Sequence, residues 1–250
     1  MSISSLNRQI RVCGRCRLSQ TRVNALCGEG DPRARLMLVA QAPGQKEDQE
    51  GVMFIGPSGK VLDDLLDVAG APRDRIYMTN LVKCFLPRYR KPKQDEIEAC
   101  HKYLDAEIDL VDPAVIAPLG YFAIRYILEK YGLPMPKKSE FSTLIGQLFL
   151  SADRLIYPLR HPSALLHNRS LLAGMEATYQ KLGVFLAECK WYPVCPMNFY
   201  HRAGRLDSKW IRRYCRGDWH SCVRFHKEEQ GIPHPDWMLP DGSEDQGLRE

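Results

Sequence analysis

The nine cysteines carry the most specific chemical signal in the chain. Cys13-x2-Cys16 is half of a thiolate site, and Cys84 and Cys100, with fifteen residues between them, are the candidates to complete it. Four thiolates hold either a zinc ion or an iron–sulfur cluster, and spacing alone does not choose between them. The bland alternative is that Cys84 and Cys100 are small buried hydrophobes. A second set, Cys189-x5-Cys195-x19-Cys215-x6-Cys222, reads as an independent site for zinc or a second iron–sulfur cluster. Cys27 matches neither set and reads as a spare thiol.

Two stretches mix basic and aromatic residues, a combination that suits nucleic-acid contact. "KCFLPRYRKP" supplies Lys83, Arg88, Arg90, Lys91 and Lys93 around Phe85 and Tyr89, on a proline-stiffened loop that begins at one candidate thiolate. "KWIRRYCRGDWHSCVRFHK" supplies Lys209, Arg212, Arg213, Arg216 and Arg224 among Trp210, Tyr214, Trp219 and Phe225. That second stretch reads equally as a metal-stapled scaffold whose aromatics fill a small core. Between residues 36 and 60 an apolar run breaks into two Gly/Pro clusters, Ala42-Pro43-Gly44 and Gly56-Pro57-Ser58-Gly59, and then turns helical. It is not a P-loop: Val61 stands where the magnesium-binding hydroxyl belongs, and Phe54 where the first glycine belongs.

These groups need a frame. Strand-like runs occur at 36–41, 75–80, 114–119 and 154–159, separated by helical patterns at 58–70, 94–111, 120–132 and 163–187. Alternation of that kind predicts an α/β fold with a parallel sheet covered on both faces, and such sheets place ligands beyond the carboxyl ends of their strands. At 250 residues the chain has length for one substantial core and a smaller module. Composition shifts near residue 188, beyond which lie all four tryptophans and four of the nine cysteines. The expected domains are 1–187 and 188–250, the second metal-stapled and ending in a loose acidic tail. The net charge of +5 permits a nucleic-acid partner without arguing for one. No run has the length of a membrane span and no apolar leader is visible, so a cytoplasmic protein is expected.

The segments "VCGRCRLSQTRVNALCGEGDPRARLMLVAQAPGQKEDQEGVMFIGPSGKVLDDLL", "TNLVKC" and "RHPSALLHN" resemble the family-four, iron–sulfur uracil-DNA glycosylases, in order and over roughly residues 10–187. The resemblance implies a three-layer α/β/α fold around a four-stranded parallel sheet. It also implies a [4Fe–4S] cluster held by Cys13, Cys16, Cys84 and Cys100, and a uracil-containing DNA substrate, single- or double-stranded. The chain is expected to act as a monomer. The resemblance does not reach the second cysteine set.

Chemistry on a base requires flipping it out of the stack into a close pocket. Phe54 offers a flat face for the ring, and Asn80 an acceptor and donors that match N3–H and O4 of uracil. His161 can donate to O2 as charge grows there, and the backbone around Gln41 and Ala42 can complete the pocket. Leu165 or Leu166 is expected to wedge into the vacated stack, with Ser58, Arg88, Arg90 and Lys91 on the DNA backbone. The family usually reads Gly-Glu-Ala-Pro-Gly where this chain has Ala40-Gln41-Ala42-Pro43-Gly44. Glutamine positions a water but cannot take its proton, which leaves Glu47 and Asp48 as the nearby carboxylates. The expected function is excision of uracil from DNA to leave an abasic site. The alternatives are the same fold acting on another deaminated base or on RNA, or a non-catalytic nucleic-acid binder.

Overall fold

The computed structural model describes residues 1–151, 154–186, 188–189 and 191–249. A two-residue β1 (Glu29–Gly30) precedes β2 (Leu36–Ala40), followed by β3 (Ile76–Asn80), β4 (Val115–Pro118), β5 (Phe149–Leu150) and β6 (Leu155–Ile156). They form one sheet in the order β1-β3-β2-β4-β6-β5. The four central strands are the parallel ones foreseen, in register Leu36↔Ile76, Leu36↔Val115 and Val115↔Leu155. The expected count of four is corrected to six by β1 and β5, which pair antiparallel at the two edges. Two-residue strands carry too little alternation to be read from sequence.

The helices are α1 (Ile3–Arg11), α2 (Gln45–Glu50), α3 (Pro57–Ala69), α4 (Gln94–Val111), α5 (Tyr121–Lys130), α6 (Ala164–His167) and α7 (Leu172–Leu186). Residues 1–35 read only as basic and polar, yet Leu6 and Ile10 share one face of α1 and are buried. The helical pattern expected over 163–187 is interrupted after α6, because the Asn168 side chain accepts the Ser170 N–H and holds its own backbone extended. Residue 187, where the first expected domain ends, lies outside the described residues.

Side chains alternate across the strands and build two apolar layers. Met37, Val39, Tyr77 and Ile116 pack with α1, α4 and α5, whereas Leu36, Leu38, Met78 and Val115 pack with α3 and α7. That is the three-layer arrangement expected. The strands read as unbroken apolar runs because both faces are covered. No helix among the described residues is long and apolar enough to cross a membrane.

Beyond residue 188 come α8 (Pro196–Arg202), α9 (Ser208–Trp210), a π turn at Ile211–Cys215 and α10 (Val223–Glu229). They enclose a separate apolar cluster that includes Tyr192, Met197, Ile211 and Leu239. Residues 241–249 are not the loose tail expected. Leu248 is buried in that cluster, Arg205 donates to the Gly247 carbonyl at 3.0 Å, and the Arg249 guanidinium lies over the Trp237 ring. The acidic composition suggested solvation, but one leucine among the charges is enough to anchor the segment.

The module sits at the amino end of the sheet. Arg212 reaches Asp112, which ends α4 just before β4, at 3.2 Å, and Arg154 reaches the same carboxylate at 2.9 Å. Arg35, immediately before β2, has Glu188 and Arg216 of the module as charged neighbours.

Candidate active site

A cavity of about 1080 Å³ opens at the other end of the sheet, beyond the carboxyl ends of β2 and β3, where an α/β fold places its ligand. Gln41 and Ala42 follow β2 directly, and Asn80 is the last residue of β3. Both Gln41 and Asn80 line the cavity together with Phe54 and His161. The four groups chosen from the sequence for base recognition therefore meet, although three separate loops deliver them.

Phe54 stands on a backbone that is itself under constraint. Its φ is +52°, a region bulky residues avoid and which costs of order 1–3 kcal/mol. Arg73 fixes this conformation by donating to the Phe54 carbonyl at 2.8 Å and to the Met53 carbonyl at 3.2 Å. A Cβ added at Gly59 would lie 1.7 Å from the Phe54 oxygen, so only glycine lets the helix start pass beneath the loop. The Phe54 ring faces His161, with centroids 6.5 Å apart. Gly59 belongs to the Gly/Pro cluster visible in the sequence, whereas Arg73 does not stand out there. Arg73 has no motif to mark it, since its partners lie some twenty residues away.

Asn80 is buried and donates one N–H to the Met53 sulfur at 3.1 Å. That leaves its second N–H and its carbonyl oxygen for a ligand. His161 is fixed from below by Ser163: the Ser163 amide approaches Nδ1 at 3.2 Å and the Ser163 hydroxyl at 2.8 Å. An amide N–H can only donate, so Nδ1 is the acceptor and the ring proton sits on Nε2. Burial pulls the His161 pKa down to about 4, so the ring is neutral at physiological pH. The His-x-Ser spacing was a readable signal for this bond.

The two carboxylates beside Gln41 have other duties. Glu47 accepts the Gly56 amide at 3.1 Å, and its other oxygen lies where a Cβ on Gly44 would stand, at 2.3 Å. It braces the two Gly/Pro loops against each other while still lining the cavity. Asp48 accepts the Val23 and Asn24 amides at 3.0 Å and 3.2 Å and is buried in that role.

The expected DNA contacts divide sharply. Leu165 is only 9% exposed and belongs to the core, which removes it as a wedge, whereas Leu166 is 48% exposed and lines the cavity. Adjacent helical residues point about 100° apart, so only one of the two can face outward. Ser58 lies in the first turn of α3, at the cavity edge, where unpaired amides favour an anion. Arg88 and Lys91 are exposed, and Tyr89 beside them is 71% exposed with its ring edge against Phe85. Arg90 also lines the cavity, but it is held there by the buried Glu96 carboxylate, with Nη1 at 2.8 Å from Oε2. Lys83 is corrected, being buried against Glu107 and Thr79 at 2.5 Å from each.

The basic face expected in the second module is likewise mostly committed. Arg212 pairs with Asp112, Arg216 with Glu188 at 2.8 Å, and Arg224 is buried, donating to the carbonyls of Pro235, Asp236 and Met238. The module contributes nothing to the lining of the large cavity.

Cys13, Cys16, Cys84 and Cys100 line one small void of about 10 Å³, where the end of α1, the loop after β3 and α4 converge. All are free thiols. Arg22 donates to the Cys84 sulfur and the Lys83 amide to the Cys100 sulfur, each at 3.2 Å. Burial pushes the Cys100 thiol up to about 11 and raises that of Cys84. Cys27 stands apart, its thiol directed at the Asn7 carbonyl at 3.5 Å.

Residues 27–183 match the family model described as the uracil DNA glycosylase superfamily. A type-4 uracil-DNA glycosylase of Sulfurisphaera tokodaii is 35% identical over 198 residues, 77% of this chain and 89% of that protein. One from Saccharolobus solfataricus is 34% identical over 80% of this chain and 93% of its own length. One from Pyrobaculum aerophilum is 36% identical over 68% and 88%. The match spans every strand of the sheet and the loops that carry Gln41, Phe54, Asn80 and His161, and on that ground the chain belongs to the uracil DNA glycosylase superfamily.

Proposed function

We propose that the chain is a DNA-repair uracil-DNA glycosylase and that the large cavity receives a flipped uracil. The observation that carries this reading is the convergence of Phe54, Asn80 and His161 on one cavity from three separate loops. The uracil ring stacks on Phe54. The Asn80 carbonyl accepts N3–H and its free N–H donates to O4, a pattern cytosine reverses. Such mismatched pairing in a buried site costs roughly 1–3 kcal/mol, and sites of this type discriminate strongly.

As the bond from the sugar carbon to N1 breaks, its electron pair moves onto the uracil N1 and O2. His161, held as the Nε2–H tautomer by Ser163, donates to O2 and stabilises that charge without giving up its proton. Water attacks the oxocarbenium-like sugar, and its proton leaves with the uracil anion. Gln41 orients that water by hydrogen bonds, and Glu47 keeps the loops at the right separation. Ser58, Arg88 and Lys91 hold the phosphates, and Leu166 fills the gap in the stack.

The chemistry of the donor set at Cys13, Cys16, Cys84 and Cys100 fits a [4Fe–4S] cluster: four free thiols converge from three chain segments, and N–H groups point at two of the sulfurs. When bound, such a cluster supplies cross-linking of three chain segments rather than a chemical step.

The test is excision from single- and double-stranded oligonucleotides carrying uracil, hypoxanthine or xanthine. Uracil is expected to be removed fastest, and Asn80→Asp to lose the preference for uracil over cytosine. A folded protein that leaves uracil intact while removing hypoxanthine would overturn the assignment.

A further inference from the structure

The four cysteines of the second module surround a cavity of about 140 Å³ that lies outside the matched family region. Cys195, Cys222 and Cys189 are all within electrostatic reach of Cys215, so the set is one cluster in space despite its spread in sequence. None forms a disulfide. Two of the sulfurs sit in preformed amide nests. The backbone amides of Trp191 and Tyr192 lie beside the Cys189 sulfur, and those of Arg224 and Phe225 beside the Cys222 sulfur.

Two further side chains that line the cavity carry buried N–H groups with no partner among the described residues. Arg224 is 2% exposed, and its Nε and Nη2 are buried with nothing to bond; the indole Nε1 of Trp219 is in the same state. A buried guanidinium with open donors is costly unless something anionic and rich in acceptors completes it. Four thiolates alone, on a zinc ion, would sit about 3.8 Å apart, as tetrahedral Zn–S bonds of ~2.3 Å require. Among the described residues no group of three or more Cys, His, Asp or Glu side chains is placed to hold a single metal ion. The set surrounds a void instead, as the first cysteine set does. Inorganic sulfides occupying that void would add acceptors for Arg224 and Trp219 beyond the four cysteine sulfurs.

We propose that Cys189, Cys195, Cys215 and Cys222 hold a second iron–sulfur cluster, with Arg224 and Trp219 donating hydrogen bonds to its sulfides. It staples the module at the amino end of the sheet, remote from the cavity that binds the base.

The full chain is purified anaerobically after expression with ample iron, and iron, acid-labile sulfide and zinc are counted per chain. The expected result is about eight irons and about eight sulfides, with zinc absent. Cys215→Ser should halve both counts and leave uracil excision unchanged. Because that variant may lose its fold, reduced wild-type protein is also examined by electron paramagnetic resonance, where two clusters give two distinguishable signals. About four irons with one zinc, or about four irons with a single signal and no other metal, overturns the proposal. Neither outcome touches the glycosylase reading, which stands or falls on excision alone.

Discussion

Replacing His161 by alanine removes an imidazole that lines the base cavity and keeps Phe54 and Asn80 in place. Loss of a single preorganised donor to a developing oxyanion costs about 10²–10³ in rate, or about 2.7–4 kcal/mol of transition-state stabilisation. The structure adds a pH signature. With its pKa lowered to about 4 by burial, His161 is protonated in about one molecule per thousand at pH 7. An unshifted imidazole would be protonated in about one in four under the same condition. The wild-type single-turnover rate should therefore stay flat from pH 8 down to about 5.5, with no inflection near 6.5. His161→Ala should lower that plateau without changing its shape, because the missing donor is neutral throughout. Stability moves the opposite way to a protonated histidine in an ion pair. Between pH 6.5 and about 4 the unfolded chain binds a proton at this site and the folded chain does not, so stability falls as pH falls through that window. The assay is single-turnover excision at saturating enzyme across pH, with melting curves on the same samples. A wild-type inflection near pH 6.5, or a rate loss below about tenfold in His161→Ala, would refute the neutral-donor role.

Glu47→Gln preserves the brace to the Gly56 amide, and its rate should remain within about tenfold of wild type. Glu47→Ala leaves that buried amide unpaired and should lower stability by about 1–3 kcal/mol in denaturant titrations. Abolished excision in a Glu47→Gln protein of normal stability would show that the carboxylate takes part in the chemistry. Gly59→Ala drives a methyl into the Phe54 carbonyl and should dislodge the ring platform, seen as weakened capture of uracil DNA by a folded protein. A variant with wild-type affinity would mean the platform does not need this loop conformation. Arg88→Ala and Lys91→Ala should each reduce the salt slope of DNA binding by about one, whereas Arg216→Ala should leave it unchanged because that side chain already pairs with Glu188.

The amino-acid sequence by itself determined which residues can do chemistry and how the chain alternates between strand and helix. Buried parallel strands must be apolar runs, and thiolate ligands and hydrogen-bonding base readers are confined to a few residue types, so Leu36–Ala40, Ile76–Asn80, the cysteine spacings, Asn80 and His161 were legible. The tertiary structure decided which of the legible groups are free to act. Arg90 and Arg224 look like DNA contacts in a basic stretch, but one is forked onto a buried glutamate and the other is sunk among carbonyls. Leu165 and Leu166 are indistinguishable as types and differ only in which side of a short helix each occupies. Glu47 reads from sequence only as a nearby carboxylate, and the structure adds that it also holds the Gly56 amide. Composition and spacing are local properties, whereas the availability of a charge or a ring depends on partners brought in from distant parts of the chain. Arg73 shows this most plainly: it holds the strained Phe54 loop through two carbonyls, and a carbonyl has no sequence signature because every residue carries one.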